Sequence, residues 1–370
     1  MKIRVTSKSS MRLSGLDALR GIAVLLVLLR HSWPQIFHGS GIIGVIIFFV
    51  LSGYLITGVL RRDITKFGRI RYTRFYCHRA FRLIPALLGF LFVYAVTEYL
   101  FNIFSDRSNG RIVPTIFAAI FYIQDLPHPF HVSSAISHLW TLAVEEQFYF
   151  VWPFFLLFAL RRRIVNRLFA VSAFLILGIM VLSVFAIYVF DFSKMPNLYT
   201  LPTTWGIALV VGGGLQVYQT SLAALISRPY VRYGLGAVST LFLVYLSLYA
   251  EVKESVVFYI VGGPLVTFLS CILVLIAATH TKAMPRWTFP LRALGFISYA
   301  AYLWNYPIVY WVNAVLIRET FAANFIAFVL TILVAIISWH SVERLGRKWR
   351  RNYDSRFGSA PDRTELNTVS

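Results

Sequence analysis

Ten apolar stretches, each close to the length of a bilayer core, constrain this chain more than any other feature. They run roughly over residues 15–37, 41–60, 82–104, 139–160, 168–190, 203–218, 230–250, 256–278, 295–317 and 320–342. A helix of about 20 apolar residues crosses the hydrocarbon layer, and only helices or closed barrels satisfy their own backbone there. The expected fold is therefore all-α: a polytopic membrane bundle of about ten transmembrane helices. Composition agrees, with 58% of residues hydrophobic and 14% charged.

The formal charge of +20 could point to nucleic acid, but its placement argues against that partner. Lys and Arg fall between apolar runs rather than along one soluble face, the pattern of cytoplasmic loops beside lipid headgroups. Basic connections are the N-terminal arm (Lys2, Arg4, Lys8, Arg12), the segment from Arg61 to Arg79, and the cluster Arg161, Arg162, Arg163 and Arg167. Weaker loops carry Arg228 with Arg232, and Lys282 with Arg286 and Arg292; the tail from Arg344 to Arg351 closes the series. Both termini are therefore expected in the cytoplasm, around a multi-pass protein of the inner or plasma membrane. The division follows: a cytoplasmic arm over 1–14, a membrane domain over 15–345, and a basic, disordered tail over 346–370. Residues 113–124 are apolar but only half a span long, and read as a re-entrant or interfacial helix on the outer side. A short eleventh span with inverted topology beyond it stays open. Cys77 and Cys271 stand far apart, with neither metal-ligand spacing nor a disulfide framework.

Ionisable groups inside the apolar runs are costly unless they have a task. Arg20 and His31 both lie in the first run, eleven residues apart. At 100° and 1.5 Å per residue that is three turns plus about 20°, so they share one face about 16 Å apart. His31 is a candidate general base at neutral pH, the alternative being a buried histidine bonded to a neighbouring helix. Glu145 and Glu146 lie inside the fourth run, and Glu145 is six residues from its outer end, matching the depth of His31. That predicts a Glu145–His31 pair in which the carboxylate orients the imidazole; a structural ion pair with an arginine is the competing reading. Glu145, Tyr149 and Trp152 share one helical stripe, with Glu146 aimed elsewhere. Arg79 and Arg82 enter the third run just before Pro85 and share a face, so with Arg20 they could clamp phosphates from the cytoplasmic side. Ser52 and Gly53, beside Tyr54, sit mid-membrane, where they admit either a ligand chain or a neighbouring helix. Ser298, Tyr299, Tyr302 and Asn305 make a polar-aromatic stretch in the ninth run, for which aromatic filling is the plain explanation. His128, His131 and His138 fall in a Pro-rich loop and read as loop surface; no metal site is expected.

These segments resemble, in order, those of the acyltransferase-3 family of integral membrane O-acyltransferases. LDALRGIA at 16–23 followed by His31 resembles the family's opening, and FFVLSGYLI at 48–56 its second helix. RAFRLIP at 79–85 is similar to its basic motif, HLWTLAVEEQFY at 138–149 to its most recognisable segment, and SYAAYLW at 298–304 with Pro307 to a late helix. The resemblance implies ten helices, cytoplasmic termini, and acyl-CoA (acetyl by default) as co-substrate with no permanently bound cofactor. The implied acceptor is a hydroxyl of a carbohydrate or glycolipid outside the cytoplasm. It also implies that Arg20 and His31 are an essential pair and Glu145 a further catalytic candidate. Arg79, Arg82, Ser52, Gly53, Tyr54, Trp140, Glu146, Tyr149 and Tyr302 are the accompanying substrate-binding candidates. Two positions depart from the family: His78 stands where an arginine is common, and Asn305 where a histidine is common. Some members carry an esterase-like C-terminal domain; the stand-alone form is expected here. A transporter or flippase of a glycan or lipid precursor is the rival class, against which stands the lack of an inverted repeat.

Overall fold

The structure, a computed structural model, describes residues 8–125, 132–190, 194, 198–280, 284–316 and 320–357. Among these the chain forms α-helices and no strand. In chain order the helices are α1 (Lys8–Ser32), α2 (Ser40–Phe67), α3 (Tyr72–Phe101), α4 (Ile112–Ile120), α5 (Trp140–Arg161), α6 (Val165–Phe190) and α7 (Pro202–Val217). They continue with α8 (Gln219–Leu225), α9 (Pro229–Tyr249), α10 (Gly263–Ala278), α11 (Phe289–Phe296), α12 (Ser298–Leu316), α13 (Phe321–His340) and α14 (Val342–Phe357). Eight segments, built on α2, α3, α5, α6, α7, α9, α10 and α13, are long and apolar enough to cross a membrane. The molecule is a polytopic helical membrane bundle. Phe174 and Phe190 on α6 and Leu241 on α9 face outward, 77%, 85% and 70% exposed, as lipid-facing side chains do.

The centre is a hairpin of α1 and α2 with α7, α11 and α12 laid against it. Lipid supplies no hydrophobic drive between helices, so close backbone approach matters more than in water. A Cβ on Gly53 would lie 1.9 Å from the Leu209 carbonyl oxygen, and one on Gly212 would lie 2.2 Å from that of Val50. Further along, Gly58 faces Gln216 and Arg61 Nη1 donates to the Gln216 carbonyl at 3.1 Å, so α2 and α7 run parallel with their backbones touching. On the other flank, Gly21 meets the Leu291 carbonyl and Gly295 meets that of Asp17, and α12 carries on to Asn305 beside His31, so α11 and α12 run parallel to α1.

Several boundaries differ from the sequence expectation. The ninth apolar run is divided: α11 ends at Phe296 and α12 begins at Ser298. Helix α1 begins at Lys8, ahead of residue 15. A 3-10 turn over Ser134–Leu139 leads directly into α5, so that span starts five residues before residue 139. The expected disordered tail is corrected over 346–357, which is helical in α14. Helix α14 is held to α3 by several contacts: Gly346 abuts the Phe81 carbonyl, Phe81 packs between Trp349 and Tyr353, and Asp354 accepts from His78 Nε2 at 2.8 Å and from Arg74 Nε at 3.2 Å. Residues 358–370 lie outside the described part. Helix α4, nine residues long, rises only about 13 Å and does not span. It is fastened beside the start of α5, where Thr115 Oγ1 accepts from the Ser133 amide at 2.8 Å.

Candidate active site

Two cavities occupy the core of the bundle. The first, about 690 Å³, is lined by His31, Arg30, His138, Trp140, Tyr199, Lys253, Tyr302, Tyr306 and Asn313 among others. The second is a slot of about 120 Å³ lined by Arg20, Ser52, Arg79, Arg82, Thr141, Glu145, Glu146, Tyr149, Ser298, Tyr299 and Tyr302. Val45 and Tyr302 line both, so the cavities meet at those two side chains. The slot lies towards the end of the bundle where α2 reaches Arg61 and Arg62; the larger cavity lies towards the opposite end.

Proline chemistry shapes this core. A proline inside a helix gives no N–H to the carbonyl four residues earlier, and that acceptor must find another donor in a membrane. Pro307 frees the Leu303 carbonyl, which accepts from His138 Nε2 at 3.1 Å. Pro153 frees the Tyr149 carbonyl, which Tyr76 OH approaches at 3.4 Å while also donating to Phe150 O at 3.1 Å. The Pro307 substitute ties the 3-10 turn before α5 to α12. It also corrects the reading of His138 as loop surface: the residue is 6% exposed and stacks on Tyr306, with ring centroids 5.5 Å apart. His128 and His131 lie outside the described residues.

In the larger cavity, His31 Nδ1 lies 2.5 Å from Asn305 Oδ1, and its ring meets Tyr306 edge-on at 5.2 Å. With the amide oxygen as acceptor, Nδ1 carries the proton and Nε2 is left as the basic nitrogen. Trp140 forms the adjoining wall, edge-on to Phe49 at 6.2 Å and to Tyr199 at 5.5 Å. In the slot, Arg79 grips Glu146 through Nε at 2.8 and 2.9 Å and through Nη2 at 2.7 Å. Its guanidinium also lies 3.3 Å over the Tyr149 ring. Glu145 accepts from Ser52 Oγ at 2.7 Å and from Tyr149 OH at 3.4 Å, with Arg79 Nη2 4.0 Å away. Arg20 Nη1 pairs with Asp17 at 3.3 Å. Arg82 is exposed within the slot and, among the described residues, makes no ion pair.

The expected His31–Glu145 pair does not form. Glu145 belongs to the slot with Ser52 and Arg79, while Asn305 takes the place beside His31. The cause is depth: the 3-10 turn extends the fourth span outward, carrying Glu145 further from that end than its distance from residue 139 indicates. Two further candidates face elsewhere. Gly53 is spent on the α2–α7 contact, and Tyr54 OH donates to Gln219 Oε1 at 2.8 Å; neither lines the slot or the histidine cavity. Of the remaining candidates, Arg20, Ser52, Arg79, Arg82, Glu146 and Tyr149 gather in the slot, Trp140 joins His31, and Tyr302 stands between. Tyr302 OH donates to the His138 carbonyl at 2.6 Å and shares a second hydrogen bond of 2.6 Å with Thr141 Oγ1.

A slot lined by arginines thus meets a histidine-lined cavity inside a helical membrane bundle. The acyltransferase domain, the acyltransferase-3 type, matches residues 13–340 of the chain. The O-acetyltransferase OatA of Staphylococcus aureus, in strains NCTC 8325 / PS 47, COL and MRSA252, is 31% identical over 360 residues, covering 91% of this chain. The chain aligns with 57% of the length of each of those relatives. No solved structure matches it. The chain belongs to the acyltransferase-3 family.

Proposed function

We propose that this protein is an O-acyltransferase of the inner or plasma membrane, with ten spans and both termini in the cytoplasm. It moves an acyl group, acetyl by preference, from cytoplasmic acyl-CoA to a hydroxyl of a carbohydrate-containing acceptor on the far side. The observation that carries this reading is the meeting of the two cavities at Val45 and Tyr302. A cationic slot at the Arg-rich end and a basic imidazole in a roomy cavity towards the other suit a donor and an acceptor arriving from opposite sides.

In this reading the phosphates of acyl-CoA lie near Arg20 and Arg82, while Arg79, paired with Glu146 and stacked on Tyr149, fixes the wall of the slot. The narrow slot takes the extended pantetheine arm and delivers the thioester past Tyr302. His31 Nε2 removes the proton from the acceptor hydroxyl, the oxygen attacks the thioester carbonyl, and the carbon–sulfur bond breaks to release CoA thiolate. The imidazolium then returns its proton to the thiolate or to water. Asn305 replaces the carboxylate expected beside His31: it fixes the tautomer without adding negative charge. Glu145 acts through Ser52 and Arg79 as a positioning residue. Acceptance of acetyl is supported by the relatives named as O-acetyltransferases.

The experiment is release of CoA from acetyl-CoA in native membranes, with endogenous acceptor, by the full chain and by His31→Ala. Acyl transfer predicts CoA release coupled to acetyl ester formation in wild type and loss of both in the variant. Equal coupled release by a folded His31→Ala protein would remove the mechanism, and substrate movement without CoA release would favour a carrier.

A further inference from the structure

The histidine cavity has a charge character that acyl transfer to a neutral sugar does not require. Its lining holds Arg30, Lys253, His31 and His138 and, among the described residues, no carboxylate. Arg30 is fixed: its stem lies against Gly41, where a Cβ would come within 2.9 Å, and its Nη1 donates to the Pro34 carbonyl at 2.9 Å. That leaves most of its five donors unused. Lys253 Nζ stands 5.5 Å from the centre of the Tyr199 ring, which itself packs edge-on against Trp140. A smaller cavity of about 280 Å³ shares Arg30, Tyr199 and Lys253 and is also lined by Glu251 and Glu254. Among the described residues neither carboxylate forms an ion pair with Arg30 or Lys253.

Arg30 stands in the last turn of α1 with its guanidinium free of an ion pair among the described residues, so an anionic group of a ligand in the cavity can bind it. The cavity's size falls in the range of about 300–1,000 Å³ that small-molecule sites occupy. Its aromatic wall suits the apolar faces of sugar rings.

We propose that the acceptor is an anionic saccharide, whose carboxylate or phosphate is held between Arg30 and Lys253 while a neighbouring hydroxyl is presented to His31. This deepens the acyl-transfer reading and rests on it for the identity of the larger cavity as the acceptor side. The two cations set which sugar is acylated and which hydroxyl reaches the base; a neutral sugar of equal size leaves Arg30 without a partner.

The test is isothermal titration of the full chain in phosphatidylcholine nanodiscs with cellobiose, cellobiouronic acid and cellobiose 1-phosphate. At least one anionic disaccharide is expected to bind tenfold or more tighter than cellobiose. The preference is lost in Lys253→Gln and restored in Lys253→Arg, a readout that a merely structural lysine would not produce. The stronger of the two anions tells carboxylate from phosphate. Equal affinities, no binding of any probe, or a preference that survives combined Arg30→Gln and Lys253→Gln would overturn the proposal. So would its abolition on replacing the lipid with phosphatidylglycerol, which would make this a headgroup site. Acetyl-CoA turnover is followed separately in native membranes; its absence there would defeat the acyl-transfer reading while leaving the anion preference to be judged from the titrations.

Discussion

Asn305 Oδ1 meets His31 Nδ1 at 2.5 Å, joining α12 to α1 at the wall of the larger cavity. An amide in this place holds the ring without competing for its proton. Replacing His31 by Ala is expected to lower acyl transfer by roughly 10²–10⁴-fold, the usual contribution of a positioned general base. Asn305→Ala is expected to lower kcat less, by about tenfold with KM for acyl-CoA little changed, because the imidazole remains but its tautomer is no longer fixed. Steady-state kinetics of the two variants in membranes check both.

Arg82 is the one arginine of the slot that the other side chains leave uncommitted among the described residues. Arg82→Gln should raise KM for acyl-CoA about tenfold, equivalent to about 1.4 kcal/mol of binding, with a smaller effect on kcat. The same substitution should reduce the sensitivity of KM to ionic strength, since a phosphate contact is screened by salt.

Glu146 has a different task. It is 19% exposed and holds Arg79, itself 15% exposed, through three short contacts. Glu146→Gln leaves the guanidinium paired only with the more distant Glu145. The expected loss is about 1–3 kcal/mol, below the roughly 3–5 kcal/mol of breaking a fully buried pair because solvent in the slot screens part of it. A lowered melting temperature in detergent reads this, and combining Glu146→Gln with Arg79→Gln should recover part of the loss.

At Gly53 the prediction concerns packing alone. A methyl group there would sit 1.9 Å from the Leu209 carbonyl oxygen, so Gly53→Ala must push α7 away from α2. Roughly 1–3 kcal/mol of destabilisation is expected, measurable by thermal unfolding. Gly178, with nothing within 4 Å, is the matched control for which Gly178→Ala should be neutral.

The bundle was legible because membrane helices announce themselves by length: eight of the ten apolar runs coincide with spans the structure supports. The clustering of Arg20, Arg79, Glu145 and Glu146 was also within reach, since ionisable groups in lipid must find each other. What could not be read was depth. The 3-10 turn before α5 carries no hydrophobic period of its own, and it moved Glu145 from the level of His31 to that of Ser52. His138 was unreadable for a related reason: its partner is a carbonyl freed by Pro307, a vacancy that only tertiary packing matches to a particular donor. Helix α14 did leave a signal, in Leu345, Trp349 and Tyr353 spaced four apart, outweighed by its eight charges beyond Val342. Lys253 left none, because a lysine in a loop between spans looks like any other.

Sidedness tests the central claim most directly. In the proposed orientation, inside-out membrane vesicles expose the Arg-rich face and right-side-out vesicles the histidine cavity, each with the native acceptor in place. Given radiolabelled acetyl-CoA from outside, inside-out vesicles should transfer label to carbohydrate in their lumen, while right-side-out vesicles should not, and His31→Ala should abolish the transfer. Label appearing only when donor is supplied to the histidine side, or only on acceptors sharing a side with the donor, would contradict a passage through Tyr302.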